Sequence, residues 1–85
     1  MKKSEFIEKL NDRVNWLDKT INNESTINES CKIEDAGHGV NLWVGNTIWH
    51  FVPNDTIEYR IYFPELKEIA ENYFRTLDLH RRIAG

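Results

Sequence analysis

Apolar positions in the first quarter of the chain recur at steps of three and four residues, with charged residues between them. This spacing is typical of an amphipathic helix whose apolar stripe packs on a core. Ser4 suits the N-cap, and Glu5 and Glu8 lie near the positive end of the helix dipole. The pattern predicts a helix from about Ser4 to Asn22, with the stripe Phe6, Ile7, Leu10, Val14, Leu17 and Ile21.

The middle of the chain changes to the alternation that is typical of strands. Ile27, Cys31 and Ile33 fall on one side of a possible strand, although residues 24–34 are also compatible with an acidic loop. Residues 40–52, VNLWVGNTIWHFV, then predict a hairpin around a Gly45-Asn46 turn. A two-residue turn sets Trp43 opposite Ile48 on one face, and it sets Leu42 opposite Trp49 on the other.

A second alternating run, Ile57 to Phe63, predicts a further strand after a turn at residues 53–55. We expect a three-residue turn, because a register shifted by one residue would move every apolar side chain of this strand away from the Leu42 face. Pro64 suits the first position of a helix that ends near His80. Its predicted apolar stripe comprises Leu66, Ile69, Ala70, Tyr73, Phe74 and Leu77.

Together these elements predict a single α+β domain over residues 1–85. The expected architecture is an antiparallel meander of three or four strands, with the N-terminal and C-terminal helices packed on one face (α-β-β-β-β-α) in two layers. Both helices are expected on the Leu42 face because one amphipathic helix alone could not cover the sheet.

Composition and charge indicate which cellular compartment and which class of binding partner to expect. The chain has one cysteine among 85 residues, which suits a reducing compartment, and Glu5, Glu8 and Asp12 interrupt any apolar N-terminal run. We therefore expect a cytoplasmic protein without a membrane segment. The formal net charge of −3 disfavours a nucleic-acid backbone as the main partner. The abundance of Asn, Ile and Lys hints at an AT-rich bacterial or phage genome.

The outer face of the predicted sheet is the main candidate for function. It combines large apolar side chains with charged ones, and such surfaces are enriched at interfaces. Cross-strand packing within the hairpin, or cover by one of the helices, would also explain them. The predicted partner-binding residues on this face are Trp43, Ile48, His50, Val52, Glu58, Arg60 and Tyr62. Trp16 lies off the apolar stripe of the first helix, so it is either a further exposed anchor or packs beside the first strand.

No residue pattern in the sequence predicts catalysis, a metal site or a cofactor. Cys31, His38, His50 and His80 lack the spacings of metal ligands. Cys31 lies in the predicted buried row, where thiols are usually inert. We therefore expect a protein that is not an enzyme and binds no cofactor.

The sequence favours a small protein–protein interaction module, which in a phage or mobile element would bind and inhibit a host or defence protein in the host cytoplasm. A homodimeric structural protein is the first alternative. A nucleic-acid-binding accessory protein is the second, because basic residues gather near the C-terminus. The residues for that alternative are Arg75, His80, Arg81 and Arg82.

Overall fold

A computed structural model describes residues 1–84 as an α+β fold with three α-helices and a three-stranded antiparallel sheet. Sheet order is β1-β2-β3, so each strand lies beside its neighbour in the chain. In chain order the elements are α1 (Lys3–Asn22), a 3₁₀ turn (Asn28–Ser30), β1 (Cys31–Asp35), β2 (Gly39–Val44), β3 (Thr47–Pro53), α2 (Asn54–Arg60) and α3 (Phe63–Ala84). The α+β class and the antiparallel meander are confirmed, with residues 31–35 forming a true strand.

The predicted fourth strand is wrong, because residues 54–60 form the helix α2. Ile57 and Ile61 are buried, whereas Tyr59 between them is 79% exposed. Residues four apart share a face on a helix as well as on a strand, so the alternating sequence fits either structure until tertiary contacts decide. The start of α2 is fixed by Asn54, whose N–H donates to the carbonyl of His38 and whose side-chain amide donates to the carbonyl of Gly37.

A β-bulge in β3 changes the predicted hairpin register. Val44 pairs with Thr47 and Trp43 with Ile48 as predicted, but Leu42 then pairs with His50, leaving Trp49 as the extra residue. A bulge sets two residues of one strand against one of the other, so alternation shifts by one beyond it. Val52 therefore joins Val40 and Leu42 in the core, and Phe51 moves to the opposite face.

The two long helices lie side by side and run in the same direction. Contacts between the two helices follow the same order in both sequences. Lys9 contacts Phe63, Arg13 pairs with Glu71, and Asp18 pairs with Arg81. This parallel orientation arises because the sheet and α2 bring the chain back beside the N-terminal half of α1 before α3 begins at Phe63. The core between helices and sheet comprises Phe6, Leu10, Val14, Leu17, Ile27, Val40, Leu42, Val52, Ile57, Ile61, Leu66, Ala70, Tyr73, Phe74 and Leu77.

Among residues 1–83, one charged side chain lies in this core. Asp18 is fully buried, and its carboxylate accepts hydrogen bonds from Arg81 at 2.7 and 3.3 Å. Asp18 follows Val14 by four residues and so continues the apolar stripe of α1, while the predicted stripe member Ile21 is 58% exposed. A carboxylate on a buried stripe needs a cation, and Arg81 supplies it.

Within residues 1–84, no helix combines the length and the apolar character needed to cross a bilayer.

Candidate partner-binding surface

The sheet face turned away from α1 and α3 is built by alternate residues of all three strands. The cross-strand pairing of Lys32 with Trp43 and of Glu34 with Asn41 assigns the β1 and β2 members. Beyond the bulge, Asn41 pairs with Phe51, and before it Trp43 pairs with Ile48. We call this surface the outer face, and its members are Lys32, Glu34, Asn41, Trp43, Ile48 and Phe51.

Trp43 is held in the centre of the outer face by neighbours on β1. Its indole Nε1 donates to Glu34 Oε1 at 3.2 Å, and Asn41 Nδ2 donates to the same oxygen at 3.0 Å. Lys32 Nζ lies 5.3 Å from the centroid of the Trp43 rings and 3.3 Å from Glu34 Oε2. Hydrogen bonds from Asn41 and then Trp43 hold the pKa of Glu34 below its ordinary value. The indole is thereby fixed in one orientation.

The Phe51 ring lies over the backbone of residue 39, and there is space for it only because that residue is glycine. A Cβ on Gly39 would overlap the Phe51 ring and lie 2.6 Å from the carbonyl oxygen of Val52. An aromatic ring laid over a strand glycine covers the exposed backbone and fixes the register. The imidazole of His38 borders the ring, with centroids 5.8 Å apart.

Ile48 completes an apolar strip and is its most accessible member. Its side chain is 45% exposed, while Trp43 and Phe51 are half-buried. The two long helices contact the other side of the sheet, where Val40, Leu42 and Val52 lie. Among the described residues the long helices do not cover this strip, while neighbours within the sheet half-bury Trp43 and Phe51. One cation and one anion, Lys32 and Glu34, lie beside it.

Five of the predicted outer-face residues lie elsewhere. His50 and Val52 face the helices because the bulge at Trp49 shifts the alternation, and Val52 is buried. Glu58 and Arg60 belong to α2, and Tyr62 follows that helix, because this segment is not a strand. Their predicted position on the sheet is therefore wrong. Trp43 and Ile48 are the two that the structure does bring together on the outer face.

Trp16 lies on a separate surface formed by α1 and the start of α3. Its indole is 51% exposed and carries the guanidinium of Arg13 at 4.2 Å from the ring centroid. A shallow depression joins it to Phe63, Lys9 and Asp12. Of the two positions that the sequence left open for Trp16, the structure has the exposed one. Its neighbours are helical residues and not the sheet strip.

The predicted basic cluster is largely neutralised by carboxylates. Arg81 bonds to Asp18, to Glu24 at 2.6 Å and to Asp78 at 3.3 Å. Arg82 Nε donates to Asp78 at 3.0 Å. Desolvation by burial acts to raise the pKa of Asp78, but hydrogen bonds from Arg82, Arg81 and Asn22 and the charge of Arg82 together lower it below its ordinary value.

The other two members of that cluster diverge. His80 packs against the hairpin turn, where a Cβ on Gly45 would come within 2.9 Å of its Nε2. Arg75 is exposed and has no ion-pair partner among residues 1–84. The four predicted nucleic-acid residues therefore form no continuous cationic surface.

Cys31 lies at the half-buried end of β1, under Tyr73. The Tyr73 hydroxyl lies 3.7 Å from its Sγ, and burial raises the pKa of the thiol. Over the described part of the chain, histidine, cysteine and carboxylate side chains form no group of three or more suited to a metal ion.

No protein-family model, curated protein or solved structure matches this chain.

Proposed function

We propose that this protein is a non-catalytic interaction module that binds another protein through its outer face. The observation that supports the proposal is the partly exposed strip of Trp43, Ile48 and Phe51, which lies on the side of the sheet away from the described long helices. A monomer that could bury these groups under α1 or α3 would give no reason to expect a partner. The sheet instead presents them on the side away from both helices.

The strip has the physical make-up of a binding anchor. Tryptophan is enriched among residues that dominate binding energy, and a side chain already held in place loses little conformational entropy on binding. The hydrogen bond from Trp43 to Glu34 and the seating of Phe51 on Gly39 provide such preorganisation. Lys32 and Glu34 at the margin would orient the partner through paired charges.

Ile48 provides the cleanest test, because its substitution removes apolar contact area without breaking an internal hydrogen bond. We expect Ile48→Glu to abolish capture of a stoichiometric partner from a low-GC bacterial host. The matched control is Ile21→Glu, at an isoleucine of α1 that is 58% exposed. The proposal is wrong if wild type and both variants capture the same protein equally, or if no partner is captured at fixed stoichiometry.

A homodimer is the second candidate, and one feature of the outer face favours it. Lys32 and Glu34 give the face one charge of each sign, so two copies related by a twofold axis could pair Lys32 with Glu34. Light scattering would then show a dimer that Ile48→Glu converts to a monomer. A wild-type monomer at high concentration would exclude this candidate and leave the hetero-partner proposal.

The finer form of the proposal is a phage or mobile-element protein that inhibits a host or defence protein. Its support is compositional, namely small size and abundant Asn, Ile and Lys. An inhibition assay with the captured partner would test it, with Ile48→Glu as the inactive variant.

Nucleic-acid binding has less support, since Arg81 and Arg82 already bond to carboxylates. A gel shift with nucleic acid that weakens as the salt concentration rises would support the nucleic-acid-binding alternative.

A further inference from the structure

The bulge in β3 creates a groove on the side of the sheet that the outer face does not use. Because the bulge interrupts alternation, Trp49 and His50 both turn toward α3. The groove between β3 and α3 is open to solvent and has a volume of about 460 Å³; its lining residues are Trp49, His50, Ile69, Asn72, Arg75 and Thr76. The Trp49 ring is stacked on buried Tyr73 at 5.6 Å, which gives the groove a fixed aromatic wall.

A second stripe on α3, which shares only Ile69 with the core stripe, continues this groove along the helix. Its members follow each other at alternating steps of three and four, the spacing by which one helix packs along another. They are Ile69, Asn72, Thr76, Leu79 and Ile83. Leu79 is 59% and Ile83 78% exposed, so the C-terminal part of the stripe has no cover within the described chain, whereas Ile69 and Thr76 are half-buried. Core packing accounts for Leu66, Ala70, Tyr73 and Leu77 and in part for Ile69, but not for Leu79 and Ile83.

Arg75 contributes to the lining of this groove a positive charge that has no ion-pair partner among residues 1–84. The carboxylates one turn away are engaged elsewhere: Glu71 with Arg13 at 3.8 Å, and Asp78 with Arg82 at 3.0 Å. No other described carboxylate lies within ion-pair distance of Arg75. A ligand that buries the stripe must also desolvate part of this guanidinium, which favours a ligand that supplies a carboxylate.

We propose that the groove between β3 and α3 binds an amphipathic helix of a partner protein, with apolar residues at heptad spacing and a carboxylate opposite Arg75. This site is separate from the outer face, and the proposal does not depend on that function. A second copy of the chain fits less well. Antiparallel pairing of two α3 helices about the centre of the stripe would bring the two Arg75 side chains together.

The test uses two synthetic peptides of about three heptads that are identical except for one central residue, Glu or Lys. Leucine occupies the apolar positions and glutamine most others. Binding is followed by the indole N–H signals of the three tryptophans in ¹⁵N-labelled protein. We expect the Glu peptide to shift the signal of Trp49 but not those of Trp16 and Trp43. It should bind about fivefold more tightly than the Lys peptide, as one partly exposed ion pair permits.

Charge reversal separates a local contact from the overall charge of the protein. Arg75→Glu should invert the preference, so that the Lys peptide binds more tightly. Arg60→Glu makes the same change of net charge on α2, and it should leave the preference as in the wild type. Ile83→Glu should weaken both peptides, whereas the outer-face variant Ile48→Glu should weaken neither. A defect of the outer face can thus be told apart from a defect of the groove.

Several results would overturn the proposal. These are the absence of a Trp49 shift with either peptide, equal affinity for the two peptides, and a preference that survives Arg75→Glu. A wild-type dimer that Ile83→Glu dissociates would likewise overturn it, because a second copy would then occupy the groove.

Discussion

The hydroxyl of Tyr73 donates a hydrogen bond to the backbone carbonyl of Trp43 at 2.6 Å. This contact joins the middle of α3 to the central strand, directly beneath the outer face. The same oxygen lies 3.3 Å from the carbonyl of Lys32 on β1. Burial raises the pKa of Tyr73 above its ordinary value, which favours the neutral hydroxyl that donates this hydrogen bond. One side chain thereby ties the helix layer to two strands.

Tyr73→Phe should lower the free energy of unfolding by about 1–3 kcal/mol, because the ring stays but a buried acceptor loses its donor. Urea unfolding monitored by circular dichroism would measure the change. The matched control is Tyr59→Phe on α2, where the side chain is 79% exposed and we expect a difference within about 0.5 kcal/mol. Equal stability of the two variants would show that the Tyr73 hydroxyl contributes nothing to the joint.

Arg81→Met should destabilise the fold by about 3–5 kcal/mol, because Asp18 would remain buried without its cation. Asp18→Leu combined with Arg81→Met removes both charges and should recover a large part of that loss. Arg82→Met is the control, since the Arg82 side chain is 65% exposed and its ion pair with Asp78 is worth at most about 1 kcal/mol. A double variant less stable than Arg81→Met would contradict the account of a buried, uncompensated carboxylate.

Long amphipathic segments were predictable because their stripes have the period of the element that they form. The stripes from Phe6 to Leu17 and from Leu66 to Leu77 lie in the core on α1 and α3, as predicted. Segment 54–60 was not predictable in this way. Seven residues with apolar groups at even spacing satisfy a strand and a short helix alike, and the contacts of Asn54 with the loop before β2 decide between them.

The bulge had the largest consequence for the candidate surface. A regular hairpin puts Trp49 opposite Leu42, and the residues next to Trp49 give no signal that β3 has an extra, bulged residue there. The single shift exchanged Val52 and His50 for Phe51 on the outer face. One signal was available: Gly39 at the start of a strand is typical of a position where a ring lies over the backbone. Trp43 and Ile48 were placed correctly because they precede the bulge.

Gly39→Ala should destabilise the protein by about 1–3 kcal/mol, the usual cost of overpacking. The added methyl would meet both the Phe51 ring and the carbonyl oxygen of Val52. In the double variant Gly39→Ala with Phe51→Ala, the overlap with the ring is gone but the close contact of the added methyl with the carbonyl oxygen of Val52 remains. The double variant should therefore be no more stable than Phe51→Ala alone. If Gly39→Ala unfolds at the same urea concentration as the wild type, then Phe51 is not seated on Gly39 and this end of the outer face is wrongly assigned.

Acid should release Trp43 only below the ordinary pKa of a glutamate. The pKa of Glu34 is lowered from 4.5 by hydrogen bonds from Asn41 and then Trp43. A group with a lowered pKa in the folded state contributes stability above its unfolded pKa, and that contribution disappears as the pH falls through the folded pKa.

The indole N–H shift of Trp43, followed by NMR from pH 7 downward, should therefore titrate with a midpoint below 4.5. Glu34→Gln keeps an oxygen acceptor but has no proton to gain, so it should abolish this titration while the fold persists. The indole of Trp16, which stacks with Arg13 on α1, should show no matching transition and serves as the internal control. A midpoint at or above 4.5 would mean that Glu34 does not hold Trp43, and the outer face would then lack the preorganised indole on which its binding role depends.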